Sequence, residues 1–273
     1  MLNINTNILS LTTQKNLSGS QNALSQAINR LSSGKRINSA ADDAAGLAIA
    51  TTQMAGINAL NQGVANANNG ISMVQTAAGA ISSTVANLQR IRQLAVEAGD
   101  GSLGTAAQAN LQTEVTTRLA EIDRVETQTT FNGQTVLGGT LTAVAFQVGT
   151  VANQTISANF GATAISTAGL SVAGLNIGST SGAQNAITAI DAALAVVNNT
   201  QATLGATQNT FQAAITNLQT QSTNLSAAES QITDADFAQE TANLSKAQVL
   251  QQAGISVLAQ ANSLPQQVLK LLQ

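Results

Sequence analysis

The sequence predicts a mainly α protein in which long coiled-coil helices flank a small β-containing insert. Three observations carry this. Apolar residues step by three and four alternately over two long stretches. A single proline, Pro265, in 273 residues permits very long helices. Near the middle of the chain the hydrophobic period falls to two. The apolar 44% is mostly Ala, Leu, Ile and Val, with aromatics at 2% and neither Trp nor Tyr, a mixture suited to helix-on-helix packing rather than a wide globular interior.

The N-terminal element is a helix with an apolar stripe at Leu17, Leu24, Ile28 and Leu31, preceded by Ile4, Ile8 and Leu11. Gly34 is placed to end it, with Lys35 and Arg36 where a helix terminus is partially negative. Ser39 and Asp42 then have capping-box spacing, with Asp42 and Asp43 near the positive end of a new helix that begins after Ser39 and runs to about Ala98. Its seam is Ile57, Leu60, Val64, Ala67, Ile71, Val74, Ala78, Ile81, Val85 and Leu88. Gly99-Asp100-Gly101 ends it, and a shorter helix follows, roughly Thr105 to Gln128.

The stretches TLTAVAFQVGT and QTISANF alternate in polarity and read as strands, bounded by Gly138-Gly139 and Gly161. The second long seam runs Ile187, Ile190, Leu194, Val197, Leu204, Phe211, Ile215, Leu218, Leu225 and Ile232, with Gln201, Gln208, Ser222 and Glu229 at intervening seam positions. At about 1.5 Å per residue, a helix of about 45 residues is roughly 70 Å long, too long for a compact ball. A C-terminal stripe follows at Leu250, Val257, Ala261, Leu264, Val268 and Leu271. The two ends are nearly uncharged: Lys15 stands alone before Arg30, and Lys246 and Lys270 are the sole charged side chains after Glu240. An exposed helix carries charge on its outer face, so these ends are built to be surrounded: either they stay disordered until they meet partners, or other copies bury them.

Composition excludes much chemistry. Without His or Cys, the common general bases, thiol nucleophiles and zinc ligands are missing, so no enzyme activity, cofactor or metal is expected. Asp42 and Asp43 are adjacent and diverge by about 100° on a helix, which suits a cap better than a cation site. Arg118, Glu121, Asp123 and Arg124 read as a solvated salt-bridge face. With a net charge of −3 and no basic cluster beyond Lys35-Arg36, neither nucleic acid nor a membrane surface is an expected partner. The N-terminus has neither a basic region nor a signal-peptidase pattern, so any export is expected to proceed without a cleaved signal.

Four blocks resemble bacterial flagellins, the subunits of the flagellar filament. They are LSSGKRINSAADDAAGLAIA (Leu31 to Ala50), NLQRIRQLAVEAGDGS (Asn87 to Ser102), RLAEIDRVETQTTFNGQTVL (Arg118 to Leu137) and DADFAQETANLSKAQVLQQAGISVLAQANSLPQQVLKLL (Asp234 to Leu272), in the family's order. The resemblance implies a long antiparallel coiled-coil helical hairpin with a small β-hairpin insert, in a minimal form lacking large outer domains. It divides the chain into residues 1–38 (inner core and connector), 39–130 (outer-core helices), 131–182 (β-hairpin and short variable insert), 183–233 (long outer-core helix) and 234–273 (inner core).

What the resemblance implies for function is a self-assembling filament subunit, exported unfolded through the type III apparatus and polymerised at the filament tip. The terminal stripes (Ile4, Ile8, Leu11, Leu17, Leu24, Ile28, Leu31, Leu250, Val257, Leu264, Val268, Leu271) become polymer contacts, and Gly34, Lys35, Arg36, Ser39, Asp42 and Asp43 the connector. An export chaperone is expected around Leu244, Val249, Leu250, Val257 and Leu264, and filament cap and hook-junction proteins as neighbours. Gln89, Arg90, Leu94 and Glu114 match a patch recognised by a vertebrate Toll-like receptor; ordinary packing between subunits is the other reading of the same residues. The competing identities are a hook-filament junction protein and a non-flagellar coiled-coil adaptor.

Overall fold

The computed structural model describes residues 6–161 and 164–271, with side chains to residue 264. The element order is α1 (Ile8–Ser33), α2 (Ala44–Ala98), α3 (Thr105–Gln128), β1 (Thr130–Phe131), β2 (Gln134–Thr135), β3 (Ala143–Gln147), β4 (Thr155–Asn159), α4 (Thr180–Thr233) and α5 (Phe237–Leu271). The chain forms two compact units: unit 1 is residues 1–57 with 223–273, and unit 2 is residues 58–222.

In unit 1, α1 and α5 pack antiparallel: Asn7 reaches Ala261, Leu17 lies against Gly254, and Arg30 meets Glu240. Small buried side chains, Ala27, Ala247 and Ala261, let the helices approach closely. Asn7 serves two helices at once. Its Oδ1 accepts from Ser10 N at 3.1 Å, capping α1, and its Nδ2 donates to the Ala261 carbonyl at 2.8 Å. That carbonyl lies four residues before Pro265, which has no N–H to give it. α5 therefore continues past Pro265 to Leu271, the missing intrahelical bond being replaced from α1.

The start of α2 differs from the sequence expectation. The helix begins at Ala44, not just after Ser39, and its cap is Asp43, whose Oδ1 accepts from Gly46 N at 2.9 Å. Ser39 is not the cap. Its hydroxyl and backbone N–H both donate to Asp42 Oδ2 at 3.0 Å, and Asn38 N donates to the same oxygen at 3.2 Å, which holds residues 38–42 in a turn. The carboxylate nearest the free amides wins the capping position because the serine is engaged elsewhere.

In unit 2, α2 and α4 run antiparallel. Arg92 pairs with Asp191, Gly70 faces Phe211, and Asn61 accepts from Ser222, so position rises along α4 residue for residue as it falls along α2. Every second position of the α2 seam is buried, Leu60, Ala67, Val74, Ile81 and Leu88, while Ile57, Val64, Ile71, Ala78 and Val85 are half-buried; on α4 Ile190, Val197, Leu204, Phe211, Ile215 and Leu218 are buried and Ile187, Leu194, Leu225 and Ile232 half-buried. Phe211 is fully buried, and a methyl at Gly70 would stand 2.6 Å from its Cζ. The Phe146 ring lies edge-on to Phe211, with centroids 5.4 Å apart.

Two antiparallel hairpins follow α3. The β3–β4 pair has the expected polarity, with Val144, Phe146, Val148, Ile156, Ala158 and Phe160 on its more buried side and its register centred on Ala145 opposite Ser157. It docks on α2 where Asn66 Nδ2 donates to the Gln147 carbonyl at 2.8 Å and where Gly63 leaves no side chain in the way of the Val148 backbone. The short β1–β2 pair is an addition to the strands expected from sequence. Asn132 (φ 50°) and Gly133 (φ 79°) turn it in the manner of an Asn-Gly hairpin.

The remaining insert is pinned to α3. Gln112 donates to the Leu175 carbonyl at 2.9 Å and accepts from Ile177 N at 2.7 Å. Asp123 accepts from Thr167 N and its hydroxyl at 2.8 and 2.9 Å. The expected solvated salt-bridge face is thereby corrected: Arg124 pairs with Glu121 as expected, Asp123 secures the insert, and Arg118 turns to Asn87 and Glu114.

Candidate functional site

The connector is built from both ends of the chain. α1 stops because Gly34 adopts φ 70°, a conformation natural to glycine, and gives its N–H to the Arg30 carbonyl at 2.8 Å. The next residues pair with the far end of α4 in a short antiparallel bridge. Arg36 N donates to the Thr233 carbonyl at 2.6 Å, Ala235 N to the Gly34 carbonyl at 2.9 Å, and the Arg36 guanidinium to the Ile232 carbonyl at 2.6 Å. Arg36 thus caps α4, satisfying carbonyls that have no partner within the helix. Lys35 is exposed beside Asp234. The Asp42 carboxyl is held below its usual range, first by the Ser39 hydroxyl and then by the Asn38 and Ser39 backbone N–H groups. Both aspartates are occupied by these local bonds, and among the described residues no group of three or more metal-ligating acids occurs.

The terminal stripes divide into two sets. Leu17, Leu24, Leu31 and Leu244 are half-buried between or beside the helices. Ile8, Leu11, Ile28, Leu250, Val257 and Leu264 are exposed, as is Val249. Ile4 lies outside the described residues, as do the side chains of Val268 and Leu271. Leu9, Ile255, Ile49, Met54 and Phe237 are also exposed and fall outside the stripe pattern. Phe237 carries its own signal, since it is a large apolar residue set just after two acids and off the heptad. Of the fifteen large apolar side chains exposed among the described residues, twelve lie in unit 1, the shorter unit. Scattered exposed leucines are ordinary on a protein surface; a concentration in one unit marks a face that another molecule covers.

The third candidate group lies in unit 2. Gln89 and Arg90 are exposed, Glu114 is partly so, and Leu94 is fully buried beneath them. Arg90 grips Glu114 with two bonds, Nε to Oε1 at 2.8 Å and Nη2 to Oε2 at 3.1 Å. This fork holds the Glu114 carboxyl below its usual range and raises Arg90 further. Arg92 and Asp191 make a similar pair at 2.6 Å.

Among the described residues, no helix is long and apolar enough to cross a membrane. Helices joined at a two-ended connector, with their apolar faces left open, define a structural subunit for assembly. Comparison with known proteins gives the family. Residues 4–142 match the bacterial flagellin N-terminal helical region and residues 187–272 the C-terminal helical region. The flagellin of Xenorhabdus nematophila is 44% identical, with 99% of each chain aligned. The flagellin of Escherichia coli is 51% identical over 56% of this chain and 31% of its own. A crystal structure of Bacillus cereus flagellin matches with a TM-score of 0.51 at 28% identity, covering 60% of this chain and 94% of that one.

The chain belongs to the bacterial flagellin family, and its function is that of a structural subunit of the extracellular flagellar filament. It is a short member, with only residues 143–186 between the two family regions. These matches do not favour the junction-protein or adaptor alternatives.

Proposed function

We propose that this chain is exported unfolded and adds to the filament tip, where the open faces of α1 and α5 are covered by neighbouring copies. The observation that carries this reading is the concentration of exposed apolar side chains in unit 1. Each large aliphatic side chain is worth about 1.5–3 kcal/mol on full burial, and those already half-covered gain less. A stack of copies supplies that cover repeatedly, which no closed pair does for every subunit in a growing polymer.

An export chaperone is read as covering the same α5 face before assembly, through Leu244, Val249, Leu250, Val257 and Leu264. Filament cap and hook-junction proteins are its other assembly neighbours. In a Toll-like receptor reading of the Arg90 patch, contact falls on Gln89, Arg90 and Glu114, with Leu94 supporting them from beneath. The role is structural, with no catalysis assigned.

The test is sedimentation and electron microscopy of purified subunit with and without short filament fragments as seeds. Seeded growth of long filaments is the expected result. A stable small oligomer that ignores seeds overturns the reading.

A further inference from the structure

Unit 1 carries a cleft and a projection that complement one another, at different places on the same surface. The cleft, about 600 Å³, runs between α1 and α5 and is lined by Lys15, Gly19, Ala23, Lys246, Ala247 and Leu250 among others. Its lining is apolar and small along one side, and a side chain at Gly19 would meet nothing within 4 Å, so there is open room. Lys15 and Lys246 are conspicuous on helices that carry almost no charge. Among the described residues neither has an ion-pair partner, whereas Arg30 at the same cleft is paired with Glu240.

The projection is at the start of α5. Phe237 is 58% exposed, the one exposed aromatic among the five phenylalanines of a chain without Trp or Tyr. Asp234 and Asp236 precede it in sequence by three positions and by one. Both are held in place: Asp234 accepts from the Ser230 and Thr233 hydroxyls at 2.6 and 3.1 Å, and Asp236 accepts from Ala238 N and Gln239 N at 2.9 and 3.2 Å. An aromatic ring one and three positions after two fixed carboxylates matches a cleft whose wall is small at Gly19, Ala23 and Ala247 and whose charge, once Arg30 and Glu240 have paired with each other, is that of two unpaired ammonium groups.

One copy cannot make this contact with itself along a straight helix, because Phe237 lies nine positions before Lys246 on α5, about 14 Å away along the axis. We propose that Phe237 of one copy seats in the Lys15–Lys246–Leu250 cleft of a second copy, with Asp234 and Asp236 facing the two lysines. Phe237 is not part of the cleft lining, whose near end is Glu240 one turn further along α5, and a contact repeated in one sense from copy to copy is head-to-tail, each copy retaining one free half for the next. Such contacts propagate into open helical polymers rather than closing into a pair. This inference rests on the filament-subunit reading and adds the specific residues that join successive copies.

The chain has no cysteine, so introduced thiols report without background. Asn16→Cys at the cleft rim and Ala238→Cys beside the projection leave the proposed contact residues in place. The two variant chains are made separately, co-polymerised on seeds and treated with a short bis-maleimide. The expected product is a covalent N16C–A238C pair formed in filaments and absent from dispersed subunits. Filaments that grow normally and give no such pair overturn the contact and leave the filament reading standing; an unmodified chain that forms no filaments overturns both.

Phe237→Ala and Gly19→Leu provide the second arm, one removing the projection and the other filling the cleft. Each is expected to retain the helical circular dichroism of the dispersed subunit and to slow seeded growth about tenfold or more. Unchanged growth in both variants, with folding intact, overturns the proposal.

Discussion

The substitution Gly70→Ala tests the closest approach in unit 2. The new methyl would stand 2.6 Å from Phe211 Cζ and 2.9 Å from Cε1, so the ring must move. Phe211 is fully buried and held edge-on by Phe146, which leaves it little freedom. Overpacking of this kind costs about 1–3 kcal/mol, while Gly to Ala in a helix interior returns about 1 kcal/mol. The expected net loss is about 1 kcal/mol. Phe211→Leu alone loses the aromatic pair and part of the ring volume, about 2 kcal/mol by the same reasoning.

The two changes together should be less damaging than Phe211→Leu alone, because the methyl added at position 70 fills space that the smaller leucine side chain leaves. An additive pair would lose about 3 kcal/mol; we expect about 1, a coupling near 2 kcal/mol. Urea denaturation of the dispersed subunit, followed by circular dichroism, measures all three variants. Losses that add to within about 0.5 kcal/mol would refute the steric argument.

Asn7→Ala removes both the α1 cap and the donor to the Ala261 carbonyl, and is expected to destabilise unit 1 by about 1–3 kcal/mol. Adding Pro265→Ala, which restores an N–H to that carbonyl, should recover part of the loss; hydrogen exchange of α1 amides reads both. Deleting the chain from Leu264 onward should leave a soluble, partly helical subunit that fails to polymerise, and normal filaments on a grid would contradict this. Acid should destabilise the subunit through carboxyls whose folded values are lowered, namely Asp42, Asp100, Glu114, Glu121 and Asp191. A lowered carboxyl contributes its full stability above its ordinary value, 4.5 for Glu and 3.8 for Asp, and loses it as pH falls through the folded value. Thermal midpoints measured from neutrality downward should therefore fall below about pH 4.5, and less steeply in Glu114→Gln.

The long helices and the β3–β4 pair are legible in the sequence because their evidence is local and repeated. Ten successive seam positions fix a period, and five alternating residues mark a strand. The helix from Thr105 to Gln128 is legible because glycines stand before its start and its apolar side is unbroken. What is not legible depends on competition between neighbours or on partners distant in sequence. Ser39 and Asp43 are both good caps by type, and here the failure is local: Asp42 takes up the Ser39 hydroxyl and leaves the capping position to Asp43, a competition between neighbours that residue type alone does not decide. Asp123 reads as solvated until Thr167 is brought against it. The Asn132-Gly133 turn is readable from its dipeptide, but the strands beside it have only two residues each, too few to show a period.

Pro265 also acts as an index mark. Helices that face each other with repeating stripes of similar residues can slide by one heptad, about 10 Å, and still cover much of the same apolar surface. A carbonyl without its own intrahelical donor breaks that equivalence, because only one alignment of α1 brings Asn7 to Ala261. Any slipped alignment leaves that group unpaired, at a cost of about 1–3 kcal/mol if it is buried. A single imino acid on one helix and a single amide on the other thus distinguish the correct stagger from its near copies, and in a polymer every subunit inherits the same stagger.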